Sequence, residues 1–159
     1  MPRAKRVVVV GAGFAGTFSV DVASRRAALP AIAYAAEEAR SGAAVWIFPE
    51  GVLQPPSAPL AFTSGFAHAA RRARVPIVPV AMRFVLLDTQ RPHAFVAAGR
   101  VIEPGGGARR ETEDAVGSML AAIDADITER RIATHFDRVV RGARGVDQRA
   151  ASALRRFRR

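Results

Sequence analysis

Apolar positions change rhythm along the chain, and each rhythm predicts an element. Residues 7–10, VVVV, are β-branched throughout and predict a buried strand. Residues 24–40 predict a helix: Ser24 is a suitable N-cap, and Leu29, Ile32, Ala36 and Ala39 recur at helical spacing. Gly42 is the expected stop, and Pro30 offers an alternative first turn. Residues 44–48, AVWIF, predict a second short buried strand. Three prolines between positions 55 and 59 forbid regular structure in the following loop, PEGVLQPPSAP.

A short helix is expected over residues 64–74, with Phe66, Ala69, Ala70 and Ala73 inward and Arg71, Arg72 and Arg74 in water. Residues 75–84, VPIVPVAMRF, predict a third strand whose prolines a sheet tolerates only at an end or an edge. Residues 94–104 predict a fourth, and GGG at 105–107 a flexible joint. Residues 111–131 then predict an amphipathic helix with Val116, Met119, Leu120, Ile123 and Ile127 in one stripe. Acids in its first turn and Arg130 and Arg131 in its last suit the helix dipole. The chain from Thr134 reads as basic and irregular or weakly helical. Strands alternating with helices argue for an α/β layer architecture.

Composition supports a folded domain: 159 residues, half of them hydrophobic, are enough for one core. There is no cysteine, which excludes disulfides and cysteine metal sites. The net charge of +10 is uneven: residues 141–159 hold seven Arg and one Asp, leaving +4 for the first 140 residues. Such a tail attracts polyanions, either nucleic acid or an anionic membrane. One Trp and one Tyr leave few stacking platforms, and no nucleic-acid reading motif is present. The apolar uncharged run at residues 7–20 is fourteen residues, short of the roughly 20 a membrane span needs. With the basic start it has the outline of a signal peptide, but its three glycines and the charges from Asp21 onward spoil the pattern.

Two segments carry candidate chemistry. Gly11, Gly13 and Gly16 follow a strand in Gly-x-Gly-x-x-Gly spacing, which lets backbone approach a pyrophosphate. Glu37 and Glu38 stand near the position of the ribose-binding acid. This supports a dinucleotide-binding (NAD or FAD) oxidoreductase as the alternative reading. Against it, the alanine-rich surroundings of Glu37 read as helix, whereas the acid should sit at a strand tip. The second segment is WIFPEG, residues 46–51: an apolar strand ending in a carboxylate beside a glycine that bares the backbone, a good grip for a polar ligand.

WIFPEG and VPIVPV (75–80), with an amphipathic helix between them, together resemble the glycerophospholipid acyltransferases of the lysophosphatidic acid acyltransferase type. Phe48, Pro49, Glu50 and Gly51 match the family's third block, and residues 75–80 its fourth. GTFSVD (16–21) looks like the second, and the resemblance covers roughly residues 16–104. It implies an α/β fold, a mixed sheet flanked by helices, like glycerol-3-phosphate acyltransferase and lacking the N-terminal part of the domain. It divides the chain into a partial acyltransferase domain, residues 1–131, and a basic C-terminal tail, residues 132–159. The implied reaction moves an acyl group from acyl-CoA or an acyl carrier protein to a lysophospholipid or other glycerolipid hydroxyl, with no cofactor. The implied binding residues are Phe48, Pro49, Glu50, Gly51 and Arg25, with a cytoplasmic location, peripheral to the inner face of the membrane through the Arg-rich tail.

The family's chemistry rests on a His-x4-Asp ahead of the second block: the His takes a hydroxyl proton and the Asp orients it. Only fifteen residues precede Gly16 and none is His. Five positions after His68, His93 and His135 stand Ala73, Ala98 and Val140, so each reads as an ordinary helix or loop histidine and no catalytic residue is assigned. Val22 stands where the second block has Arg, Val52, Leu53 and Gln54 replace Thr-Arg-Ser, and Phe62-Thr63-Ser64-Gly65 lacks the Lys of Phe-Lys-x-Gly. Loss of these donors weakens the case for a phosphate-bearing acceptor, unless Arg25 and Arg26 substitute. The regular order of the remaining blocks favours a missing upstream segment over a degenerate domain.

Overall fold

The computed structural model describes residues 8–12, 25–51, 55, 58–87 and 92–140, with side chains undefined in 8–12 and 25–27. Four strands form one mixed sheet: β1 (Val8–Ala12), β2 (Val45–Ile47), β3 (Ile77–Leu86) and β4 (Pro92–Ala98), in the order β2-β1-β3-β4. β1 pairs in parallel with both β2 and β3, and β4 runs antiparallel to β3. Helices α1 (Arg25–Ser41), α2 (Gly65–Ala73), α3 (Ala108–Thr128) and the single turn α4 (Ile132–His135) complete the described elements. The expected mixed α/β class is the one observed.

Register decides which side chains share a face. Val45, Val8 and Ile77 are level, as are Trp46, Val9 and Val78. Alternation then places Ile77, Ala81, Val85, Phe95 and Ala97 on one side, and Trp46, Val78, Met82, Phe84, Leu86 and Val96 on the other. On the second side Val80 is also buried, while the helix-packed core cluster lies on the first side. There Ile77, Ala81 and Phe95 pack with Ala36 and Ala39 of α1, Phe66, Ala70 and Ala73 of α2, and Val116 and Ile123 of α3.

Local signals explain most boundaries. α1 ends where Gly42 takes φ +105°, its N–H reaching the Ala39 carbonyl while that of Ala43 reaches Glu38. The helix begins at Arg25, so Pro30 lies inside it; Pro30 is exposed, and the hydrogen bond it deletes is lost toward solvent. The proposed cap Ser24 lies outside the described residues. Leu29 turns outward, and the buried stripe of α1 is carried by Ala36 and Ala39. α2 buries Phe66, Ala69, Ala70 and Ala73, as its periodicity predicts.

Four expectations need correction. β2 is not buried: it is an edge strand, and Trp46 is exposed on the face the core leaves open. β3 is not an edge: it lies between β1 and β4 with Pro79 inside it. The ladder accommodates Pro79 with a bulge. From the pair Val80–Ala98 to the bridge Ile77–Ile102, β3 advances three residues and its partner four. The partner loses regular pairing across this stretch, and the Gly99 N–H still donates to the Pro79 carbonyl at 2.8 Å. α3 starts at Ala108, directly after the 105–107 glycines, and ends at Thr128, so Arg130 and Arg131 fall beyond its last turn. Finally, Ile132 and Phe136, placed by sequence beyond the domain, pack against the core, Phe136 meeting Phe95 edge-on at 5.1 Å. The Arg-rich residues 141–159 lie outside the described residues.

The one-sided core makes a contrast that denaturant unfolding checks. Phe66→Ala should cost about 3–5 kcal/mol, because the ring is buried in the core cluster shared by α1, α2 and α3. Phe84→Ala, on the open face, should stay within about 0.5 kcal/mol.

Candidate functional site

The Pro-Glu-Gly tip projects from the carboxyl end of β2. In parallel α/β sheets that end collects ligands, since loops leave there and backbone groups are free of the ladder. Pro49 is buried, and its carbonyl accepts two bonds from Thr63, one from the backbone N–H and one from the hydroxyl, both 2.9 Å. Gly51 has φ +70°, a conformation that a side chain would strain. Between them, the half-buried Glu50 carboxyl has its pKa raised by desolvation, partly offset by a hydrogen bond from its own backbone N–H.

A second link anchors this tip to α3. The N–H of Phe62 donates to Glu113 Oε2 at 2.6 Å, and Arg109 Nη1 donates to both the Phe62 carbonyl (3.2 Å) and Glu113 (3.1 Å). Phe62 itself is buried, with its ring edge-on to Phe66 at 6.1 Å. Residues 62 and 63 thus form a strap: the Phe62 backbone is held by α3, and Thr63 holds the Pro49 carbonyl.

Phe48, Pro49, Glu50 and Gly51 are therefore gathered on one braced tip. Arg25 is the first residue of α1, which returns through the short turn at 42–44 into β2. Its backbone accordingly lies toward the same end of the sheet. The 75–80 segment is not adjacent: β1 separates β3 from β2, about 10 Å in all. The two segments overlap in register only where Trp46 and Ile47 are level with Val78 and Pro79; the tip runs on past that level, and residues 75–77 lie toward the opposite end of the strands. An open groove of about 560 Å³ lined by Arg100, Ile102, Arg110, Glu111, Asp114 and Ser118 lies elsewhere, and no residue of the tip lines it.

The histidines are distributed differently from expectation. His68 is on α2, 3.2 Å from Arg71 Nη2, and His93 is in β4, in neither a helix nor a loop, stacked on Phe95. His135 Nδ1 lies 2.9 Å from Asp126 Oδ1, which also accepts from Arg131 Nε at 3.2 Å. These partners, His135 first, lower the pKa of Asp126. A search for His-x4-Asp misses this pair because the acid precedes the base by nine residues. It is 13 residues along α3 from Glu113, about 20 Å, too far to act on a ligand at the tip.

The dinucleotide alternative gains no support. Gly11, which should lie in the turn after the strand, is in β1 and pairs with Val80. Glu37 and Glu38 are in α1, and Glu37 is paired with Arg40. Gly13 and Gly16 lie outside the described residues.

Comparison with known proteins decides the family. The acyltransferase family model matches residues 5–83, about half of the chain, and takes in both the glycine segment and the Pro-Glu-Gly tip. The chain belongs to the acyltransferase family. It is 33% identical over 72 residues to a Caenorhabditis elegans protein named 1-acyl-sn-glycerol-3-phosphate acyltransferase acl-2, a designation its own name marks as provisional. That match covers 45% of this chain and 26% of the relative, so the chain spans about a quarter of that protein's length. In fold it is similar to the 1-acyl-sn-glycerophosphate acyltransferase PlsC of Thermotoga maritima, with TM-score 0.57 and 18% identity, over 78% of this chain and 68% of that one.

Two outcomes follow for this acyltransferase domain. Glu113→Ala leaves the Phe62 N–H and Arg109 without their acceptor and should cost about 1–3 kcal/mol in urea unfolding, with Glu113→Gln costing less than half of that. For Glu50, the folded chain holds more protons than the unfolded chain just above the ordinary carboxylate range. Stability therefore falls as pH rises through that window. Glu50→Gln should abolish this fall and raise the Tm at pH 7 by about 1–2 °C, a small gain because the carboxyl is still partly solvated.

Proposed function

We propose that this domain takes part in transferring an acyl group from a thioester, acyl-CoA or an acyl carrier protein, to the free hydroxyl of a lysophospholipid or other glycerolipid. The reading is carried by Glu50: a carboxyl kept half-buried at an energetic cost, on a tip braced from both sides, within a family-matched segment. The name of the acl-2 relative gives the acceptor class.

In this reading Glu50 and the backbone at Gly51 hold the acceptor's polar groups, Phe48 and Pro49 fix the tip, and Arg25 offers positive charge from the first turn of α1. The acceptor oxygen attacks the thioester carbonyl, the C–O bond forms, the C–S bond breaks, and the hydroxyl proton leaves with the thiol. A base must take that proton, and the chain has no His-x4-Asp to supply one. The tip is then the acceptor side of a site whose base lies elsewhere. The partial acyltransferase domain is assigned to residues 1–131 together with the turn that packs Ile132 and Phe136 on it, and the basic residues that follow to a tail that holds the protein at the inner face of the membrane. Among the described residues no helix is long and apolar enough to cross a membrane.

Calorimetric titration with lysophosphatidate below its critical micelle concentration tests the acceptor role. Saturable binding is expected, weakened about tenfold or more by Glu50→Gln through loss of a charge-assisted hydrogen bond. A version carrying the family's His-x4-Asp segment upstream should acylate lysophosphatidate from acyl-CoA. Binding indifferent to Glu50, or no acylation by that version, would sink the reading.

A further inference from the structure

Among the described residues the sheet has two edges, and they are built differently. β2 is three residues long, too short to template another strand. β4 runs seven residues, with no described strand beyond it. Its main-chain directions follow from its inner partner. Ile77 and Ile102 exchange two bonds of 2.8 Å, and the Gly99 N–H donates to the Pro79 carbonyl. β3 therefore turns the main chain of alternate residues, Ala81, Arg83 and Val85 among them, toward β4, where Ala97, Phe95 and His93 answer it. The N–H and C=O groups of Ala94, Val96 and Ala98 point off the sheet, and all three residues are exposed. Such edges are normally blunted by a lysine, a bulge or an internal proline. In β4 the proline stands at the first residue, the bulge lies beyond Ala98, and no Lys, Arg, Asp or Glu occurs.

We propose that β4 is a self-pairing edge: two copies of this chain join antiparallel through it, about a two-fold axis at Val96, into one sheet continuous through the four strands of each. With the axis there, Val96 lies opposite the partner's Val96 and Ala94 opposite the partner's Ala98. About six main-chain hydrogen bonds then close the edge, and Pro92, which has no N–H, falls outside these pairs. Side chains fit the same register. Phe84, exposed, is level with Ala94, and Ala94 with the partner's Ala98, so the ring meets two methyl groups and no second ring. Charge does not oppose the seam locally, since Arg83, the one charged residue of β3 and β4, is bound by Asp124 at 2.8 and 2.6 Å. β2, which carries the Pro-Glu-Gly tip, is the opposite edge. Both tips stay open, and the pairing does not depend on the acyl-acceptor reading.

Sedimentation equilibrium of the full chain over a range of concentrations should show a monomer–dimer equilibrium. Val96→Lys sets like charges against each other at the axis and should raise the dimer dissociation constant about tenfold or more. The Tm of the dilute monomer should not change, because the side chain is exposed. Leu29→Lys adds the same charge at an exposed position of α1 and should leave the dimer as it is. Amide hydrogen exchange reads the seam directly. Ala94, Val96 and Ala98 should exchange fast in dilute solution and slowly in concentrated solution, whereas Phe95 and Ala97, bonded to β3, are slow in both. Added salt should tighten the dimer by screening the +10 of each copy. A monomer at every concentration would overturn the proposal and leave the edge to a strand of a different protein. A dimer that ignores Val96→Lys and protects none of Ala94, Val96 and Ala98 would overturn it in favour of another surface.

Discussion

All the helices that bury a core pack against one side of the sheet. Ile77, Ala81 and Phe95 form the floor, and Phe66, Val116 and Ile123 press on it from α2 and α3. Everything else follows from that choice of side. It places α3 close enough for Glu113 to reach Phe62, and so fixes the strap under the Pro-Glu-Gly tip. It also leaves Trp46, Phe84 and Leu86 exposed. Burial of one face and exposure of much of the other are a single fact about this sheet, and they divide it into a helix-packed side and a largely exposed side.

Local elements were legible where one residue's chemistry sufficed. The spacing of Phe66, Ala69, Ala70 and Ala73 gave α2 its correct inner face, and Gly42 stopped α1. What needed a partner strand was not legible. Pro79 argued for an edge position, but β3 is central and the ladder bulges around it, because the chain that returns from β4 supplies one extra residue opposite. Trp46 sits in an apolar run that reads as buried, yet burial depends on whether a helix covers its face. A run of five apolar residues cannot carry that information.

The candidate site divides along the same line. The tip residues Phe48, Pro49, Glu50 and Gly51 were visible as a contiguous motif. The residues that hold them in place were not. Thr63 is fourteen positions from Pro49, and Glu113 is fifty-one from Phe62. Thr63 also occupies a position where the resembled family has Lys. Sequence comparison scores that as a lost positive donor, whereas the folded chain uses the hydroxyl as a brace on Pro49. A departure from a family pattern thus removes one role and supplies another, and only the contact distinguishes them.

Glu50 is where stability and function pull apart. A carboxyl that no described side chain neutralises, half-withdrawn from water, lowers the stability of the fold at neutral pH. Its neighbours do nothing to relieve this: both Thr63 bonds go to the Pro49 carbonyl, and the relief comes from Glu50's own backbone N–H. The brace therefore holds the acid at the tip without neutralising it. A glutamine would relieve the strain and keep the shape, but would give up the charge. On the proposed acceptor role, the charge that costs stability here is the charge a bound lipid hydroxyl would use.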